Sequence, residues 1–406
     1  MTRGMLMLLV ATAMAVLLAG CGSNLREDQG SSKGSEQEGG SSQQDTVSVG
    51  PTDTASVGSC ADKGSMVGQQ EEASGGEVSN GKIAFVRRDA DADNSDIYVM
   101  DEEGAHETRL TRTPQQEWGP VWSPDRKKLA FSRNQGNVYV MDADGSGQDY
   151  LTDGSSPVWS PDGRKLAFIT QRTGLSVMNA DGTNLTQLQT KPSTPPVETY
   201  ETTLGNPVWS PTGNKLAFGR YTERLRSDYS GGMVSGGPVE GLTGIYLINV
   251  DGTGLCKLTG SHEEESEAMV PAWSPDGGKI AFQDKGMINV IIPDGSGRKE
   301  LPGTKGAEFV PVWSPDSQKI AYYDLANSEL YVINADGSGR EKLAGSASGL
   351  PQHAWSPDGQ KIAYFCPGYG GDTSLCAINA DGTERARLAR AISPSGYGAY
   401  AAWGSG

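Results

Sequence analysis

Short stretches in which β-branched and aromatic residues alternate with small or polar ones recur through residues 82–403, each bounded by Gly, Pro, Asn or Asp. A period of two between turn residues predicts strands. These stretches are near-copies of one another. Trp-Ser-Pro begins at Trp122, Trp159, Trp209, Trp273, Trp313 and Trp355. Lys-(Leu/Ile)-Ala-(Phe/Tyr) follows each of them and has a further copy at Lys82-Ile83-Ala84-Phe85. A third stretch, such as Tyr139-Val140-Met141 or Tyr331-Val332-Ile333, runs into an Asp- or Asn-Ala-Asp-Gly turn, with degenerate versions at Met100–Gly104 and Ile292–Gly295. A fourth, Arg109-Leu110-Thr111 or Lys257-Leu258-Thr259, closes most units.

The turns have a mechanical reading. In Ser160-Pro161-Asp162-Gly163 the proline pre-sets φ at the first central position, aspartate suits the second, and glycine takes the left-handed conformation that ends a type I turn with a G1 bulge. Four antiparallel strands joined by such turns and repeated in tandem predict an all-β propeller of four-stranded blades. The tryptophan of each unit supplies the apolar body that wedges neighbouring blades together. The first unit lacks a Trp-Ser-Pro strand, and Trp403 stands near the end of the chain with no hairpin after it. Joining the two completes a blade from both ends of the chain and predicts a closed seven-bladed ring. A six-bladed ring with one aberrant unit is the alternative.

Trp-Ser-Pro-Asp-Gly followed by Lys-Ile-Ala-Phe resembles the WD-like β-propeller repeat of the TolB family, over residues 82–403. Proteins of the TolB type have six blades and an α/β domain before them, so the count of seven departs from that pattern. The resemblance implies, weakly, docking to partner proteins of the cell envelope. Some seven-bladed relatives are metal-dependent polysaccharide lyases with clustered histidines, which makes a lyase or hydrolase acting on cell-surface polysaccharide the rival reading.

Strand parity puts the Ser-Pro-Asp-Gly and Asn-Ala-Asp-Gly turns on one face of the ring. The loops between the second and third strands, and the connections between blades, fall on the other. The irregular insertions all belong to the second face: Asp89–Asp96, Gln189–Leu204, Arg220–Thr243, Gly260–Ala268 and Pro367–Thr373. Long loops on a rigid scaffold are where binding residues concentrate. The longest, rich in glycine and read as flexible, offers Tyr221, Arg224, Arg226 and Tyr229 as ligand-contacting groups.

Residues 1–20 have the layout of an export signal: a short basic start, an apolar run from Met5 to Leu18, and Leu18-Ala19-Gly20 before Cys21. The Leu-Ala-Gly-Cys sequence resembles the lipobox of bacterial lipoproteins, which implies a lipid on Cys21 and an extracytoplasmic, membrane-anchored protein. Residues 21–80 are dominated by Ser, Gly, Gln and Glu, a composition with too little apolar surface to offset the entropy of ordering. They read as a disordered tether, leaving residues 81–406 to the propeller.

Catalytic motifs are sparse. The chain has three histidines, His106, His262 and His353, and no Gly-x-Ser-x-Gly elbow, His-Glu-x-x-His pair or phosphate loop. Asp89, Asp91, Asp93 and Asp96 have nearly the alternate spacing with which a tight loop converges oxygens on Ca²⁺, although the glycine and terminal glutamate of a complete calcium loop are missing. A solvated acidic tip is the preferred reading of them, and no cofactor is assigned beyond that candidate calcium site. A formal net charge of −16 disfavours nucleic acid as a partner. Of the cysteines beyond Cys21, Cys366 and Cys376 flank the last blade's central hairpin and are the preferred disulfide; Cys60 and Cys256 either pair with each other or stay free. The sequence thus reads as a lipid-anchored, non-enzymatic propeller that binds a cell-envelope protein or ligand. Replacing Cys21 by alanine is expected to move the protein from the membrane fraction to the soluble one on cell fractionation. Retention at the membrane would count against the lipid anchor.

Overall fold

The computed structural model describes residues 58–60, 81–88, 94–134, 136–170, 174–188, 190, 200–227, 233–238, 242–259, 269–305, 310–324, 326–345, 352–368, 373–389 and 401–403. These belong to one compact unit, Val57–Gly406. Seven antiparallel sheets make a seven-bladed propeller, and we call the strands of each blade A to D in spatial order. In blade 2 they are Glu117–Trp122, Lys128–Arg133, Asn137–Asp142 and Asp149–Asp153. Strand A of every blade touches strand A of the blades on either side, around a complete circuit. The A strands therefore encircle the axis, and the D strands form a largely exposed rim.

The two faces of each sheet are unlike, and the alternation in Lys-Leu-Ala-Phe is the reason. Leu129, Phe131 and Met141 of blade 2 pack with Ala84, Val86, Ile97 and Val99 of blade 1. Ala130, Val138 and Val140, on the opposite face of blade 2, receive Trp159, Leu166, Phe168 and Met178 of blade 3. Each blade thus presses large side chains into the small-residue face of the blade before it. Phe131 and Phe168 are wholly buried, which is worth about 1.5–3 kcal/mol for each side chain of this size. The tryptophans also hydrogen-bond across the junctions. The indole N–H of Trp159 donates to the carbonyl of Val121 at 3.1 Å, that of Trp209 to Val158 at 3.1 Å, that of Trp313 to Ala272 at 3.0 Å and that of Trp355 to Val312 at 3.1 Å. In each case the acceptor directly precedes the previous blade's tryptophan.

The A–B turns are built as their residues dictate. Gly163 donates its N–H to the Ser160 carbonyl at 2.9 Å with φ 69°. The Ser160 hydroxyl donates to Asp162 at 2.6 Å and accepts the Lys165 N–H at 2.9 Å. That hydroxyl holds the Asp162 carboxyl below the usual range. These aspartates close turns, and the serine-to-aspartate bond recurs at Ser274, Ser314 and Ser356.

Blade 1 is completed from both parts of the chain: Ala401–Trp403 pairs antiparallel with Ile83–Arg88, followed by Ser95–Met100 and Thr108–Arg109. Trp403 packs with Ile83, Phe85 and Tyr98 against Ala363 and Ala377 of blade 7, which closes the ring. Truncation after Tyr400 removes this strand. Losing a buried tryptophan costs about 3–5 kcal/mol, and the melting temperature is expected to fall by roughly 10 °C. An unchanged melting curve would show that the strand does not close the ring.

Blade 4 departs from the pattern in two ways. Its core strands are Val208–Trp209, Lys215–Ser227, Gly244–Asn249 and Cys256–Lys257. Strand B runs for 13 residues, beyond the sheet. There it is flanked by Tyr200–Leu204 on one side and Met233–Pro238 on the other. The insertion read as a flexible loop therefore contributes two strands of a three-stranded antiparallel arm, whose third strand, Tyr200–Leu204, comes from the connection before strand A: once strand B continues past Arg220, backbone pairing on both sides satisfies its N–H and C=O groups. Second, Gly58–Ser59 adds a parallel strand to the outer edge of the blade, on Cys256–Lys257, and Cys60 is disulfide-bonded to Cys256. Residues 58–60, assigned by composition to a disordered tether, are thus part of blade 4. A covalent bond, which composition does not register, holds them there.

Candidate binding face

The B–C loops and D–A connections carry the ends of the B strands and the starts of the C strands. Among the described residues the buried charged groups, such as Asp96, Glu117, Arg133 and Asp284, gather there. Three blades build the same small assembly, an arginine lying over an aromatic ring of its own sheet and neutralised by an acid. In blade 1 Arg87 stands 3.8 Å from the Tyr98 ring centre and 2.6 Å from Glu107. In blade 2 Arg133 lies 4.3 Å from the Tyr139 ring centre and 2.9 Å from Glu117. In blade 5 Arg298, 5.5 Å from the Phe282 ring centre, bonds Asp284 at 2.7 Å. Blade 6 uses a phenol: Arg340 lies over Tyr331 at 3.7 Å and donates to the Tyr322 hydroxyl at 2.7 Å.

At the junction of blades 1 and 2 these groups form a buried network. Glu117 is fully buried. It accepts from Arg133, from the Thr113 hydroxyl at 2.7 Å and from the Thr111 hydroxyl at 3.2 Å. Burial pushes the Glu117 carboxyl above its ordinary range, outweighing the downward pull of Thr113 and Arg133. Asp96 is also buried and accepts from Arg109, Asn94 and Thr111. Its charge is therefore directed into the blade junction. The other three candidate calcium ligands, Asp89, Asp91 and Asp93, lie outside the described residues, as do Cys21 and Tyr229.

Of the remaining sequence-predicted residues, Tyr221, Arg224 and Arg226 lie on the extended B strand of blade 4, with Arg224 in register with Tyr200 and Arg226 with Val234. Cys366 and Cys376 are disulfide-bonded across strands B and C of blade 7. His353 is buried on strand A of blade 7, opposite Tyr364. His106 is exposed, 2.7 Å from Asp101, and His262 lies outside the described residues. Among the described residues no three His, Cys, Asp or Glu side chains converge as a metal site. The opposite, turn-bearing face has a groove of about 420 Å³ between blades 6 and 7, lined in part by Asp316, Lys319, Asp358 and Asp381. Sequence reading missed Glu117 and Arg133. Their only signal is a charged residue at a strand end, Glu117 opening Glu117–Trp122 and Arg133 closing Lys128–Arg133.

A closed ring of seven four-stranded blades, with its irregular segments on one face, defines a β-propeller with a potential binding surface. The sequence matches the TolB beta propeller domain over residues 79–188 and 244–401, and the chain belongs to that family. The match breaks over the segment that holds the blade-4 arm. No curated protein matches the chain. Among solved structures it is similar to oligogalacturonate lyase from Vibrio parahaemolyticus, with 16% identity, TM-score 0.51, and 70% of this chain and 83% of that one covered. It is also similar to TolB from Acinetobacter baumannii, with 19% identity, TM-score 0.47, and 80% and 67% covered. At these identities the likeness concerns the fold.

The Glu117–Arg133 pair gives a test of how this face is held. Glu117→Ala leaves a buried guanidinium without its acid and is expected to cost about 3–5 kcal/mol. Glu117→Leu combined with Arg133→Met removes both charges and is expected to recover most of that loss in urea denaturation. If the double variant is as unstable as the single one, the uncompensated buried charge is not what destabilises the single variant.

Proposed function

We propose that this chain is a lipid-anchored, extracytoplasmic scaffold that binds a partner of the cell envelope without catalysing a reaction. Its contact surface is the face bearing the B–C loops and D–A connections. The observation that carries the reading is the blade-4 arm. On the turn face the repeat is kept nearly uniform, whereas on the other face strand B of blade 4 is lengthened and sheathed into a projecting three-stranded element. A projection built as sheet holds its backbone in place at lower entropic cost than a loose loop. The family match stops at residue 188 and resumes at 244, and the arm falls within that break. Membership in the TolB propeller family is in keeping with an envelope location, and the sequence before residue 58 supplies the export and lipidation signals.

The test replaces residues 221–243 with a short Asn-Gly turn. Folding is expected to survive, because the hairpin then has the commonest connection and Arg220 already pairs with Gly244. Cross-linking to envelope extract is expected to lose the components that the intact chain captures. Equal capture by both proteins would move the contact surface to the turn-bearing face. Release of unsaturated products from acidic polysaccharide by the intact chain would favour the lyase reading.

A further inference from the structure

Blade 4 repeats the arginine-over-aromatic assembly of blades 1 and 2 with the acid missing. Arg220 is 3% exposed and lies 5.5 Å from the Tyr246 ring centre. Its guanidinium makes two hydrogen bonds, to the Thr222 hydroxyl at 3.2 Å and to the Thr190 carbonyl at 3.2 Å. A guanidinium has five N–H donors and keeps its proton at any physiological pH. No carboxylate among the described residues reaches it, whereas the arginines at the same strand-B position of blades 1 and 2, Arg87 and Arg133, each bond one.

The surroundings add positive charge and hydroxyl groups. Gly244, in register with Arg220, has φ 148°, and a Cβ there would stand 2.9 Å from Cε of Lys257 and 2.8 Å from Oγ1 of Thr259. Glycine at this position is what allows Lys257 to cross the strand towards Arg220. Burial first, and the Arg220 charge second, push the Lys257 ammonium below its ordinary pKa. Thr190, Thr222 and Thr243, all buried, line the same region.

We propose that this slot at the foot of the blade-4 arm, centred on Arg220, binds a small oxyanion, a carboxylate or phosphate group. A buried guanidinium with unused donors is costly unless an anion completes it. Two cations brought together from strands B and D, with hydroxyls beside them, form the donor set that carboxylate and phosphate oxygens accept from. Arg220 falls in the segment that the family match skips, whereas Gly244 and Lys257 fall within the matched residues. The inference stands on the Arg220 geometry and does not require the arm to be the partner surface.

Thermal denaturation of the full-length protein tests it, in low-salt buffer titrated with sodium phosphate or sodium acetate against sodium chloride at matched ionic strength. One of the two oxyanions is expected to raise the melting temperature by roughly 2–4 °C beyond chloride. The one that acts at lower concentration identifies the group as phosphate or carboxylate. Arg220→Met is expected to lose this rise and, in chloride alone, to melt no lower than the wild type, because the uncompensated charge is gone. Lys257→Met, which leaves the arginine in place, is expected to need about tenfold more oxyanion for half of the effect. The proposal is overturned if neither oxyanion outdoes chloride, or if Arg220→Met responds as the wild type does. Should Arg220→Met fail to fold, an unshifted titration of Lys257→Met overturns it instead.

Discussion

Everything in this protein depends on the unlike faces of a single strand. In Lys-Leu-Ala-Phe the leucine and phenylalanine point one way and the alanine the other, so each sheet has a bulky face and a shallow one. A flat stack of such sheets would leave one bulky and one shallow face exposed at its ends. A ring leaves none, provided that the last interface forms. Trp403 forms it, entering blade 1 beside Ile83 and Phe85 and meeting Ala363 and Ala377 of blade 7. The cost of failing to close is an exposed aromatic face and an open sheet edge together.

Because packing is satisfied by a strand of a few residues and a turn of four, the segments beyond the B–C ends are released from structural duty. The same is not true of the turn-bearing face. There serine, aspartate and glycine are spent on holding the turn, and a proline of one turn lies under the glycine of the next, with a Cβ at Gly163 falling 3.5 Å from Cδ of Pro124. Change on that side disturbs a neighbouring blade. Change on the other side lengthens a strand or a loop, as blade 4 demonstrates.

The parts legible in the sequence are those whose causes are local and repeated. Tandem copies, turn chemistry and the orphan Trp403 sufficed for the blades, their number and the closing strand. The arm was not legible as sheet. Its glycines at 231, 232, 236 and 237 argue for a loop, and only the continuation of strand B past Arg220 supplies partners for its backbone. The attachment of residues 58–60 was hidden for a different reason, since their partner Cys256 is 196 positions away. Buried charge was the least legible. Asp96 read as part of a solvated acidic tip, and what removes it from solvent is Arg109 on a neighbouring strand.

Blade 4 gathers the departures from symmetry. It alone carries a strand from the region before the ring, the long arm and, among the arginine-bearing blades described above, a buried guanidinium with neither acid nor phenol bonded to it. These features differ in their energetic sense. The added strand and the disulfide strengthen the blade, whereas Arg220 weakens it as long as nothing completes its donors. Reinforcement beside a destabilising group is the arrangement expected where a fold tolerates a local cost for the sake of binding. In blades 1 and 2 the same arginine position is balanced within the protein, so the imbalance in blade 4 is not inherited from the repeat. The repeat sets the arginine's place over the ring, and the missing acid turns that structural position into one available to a ligand.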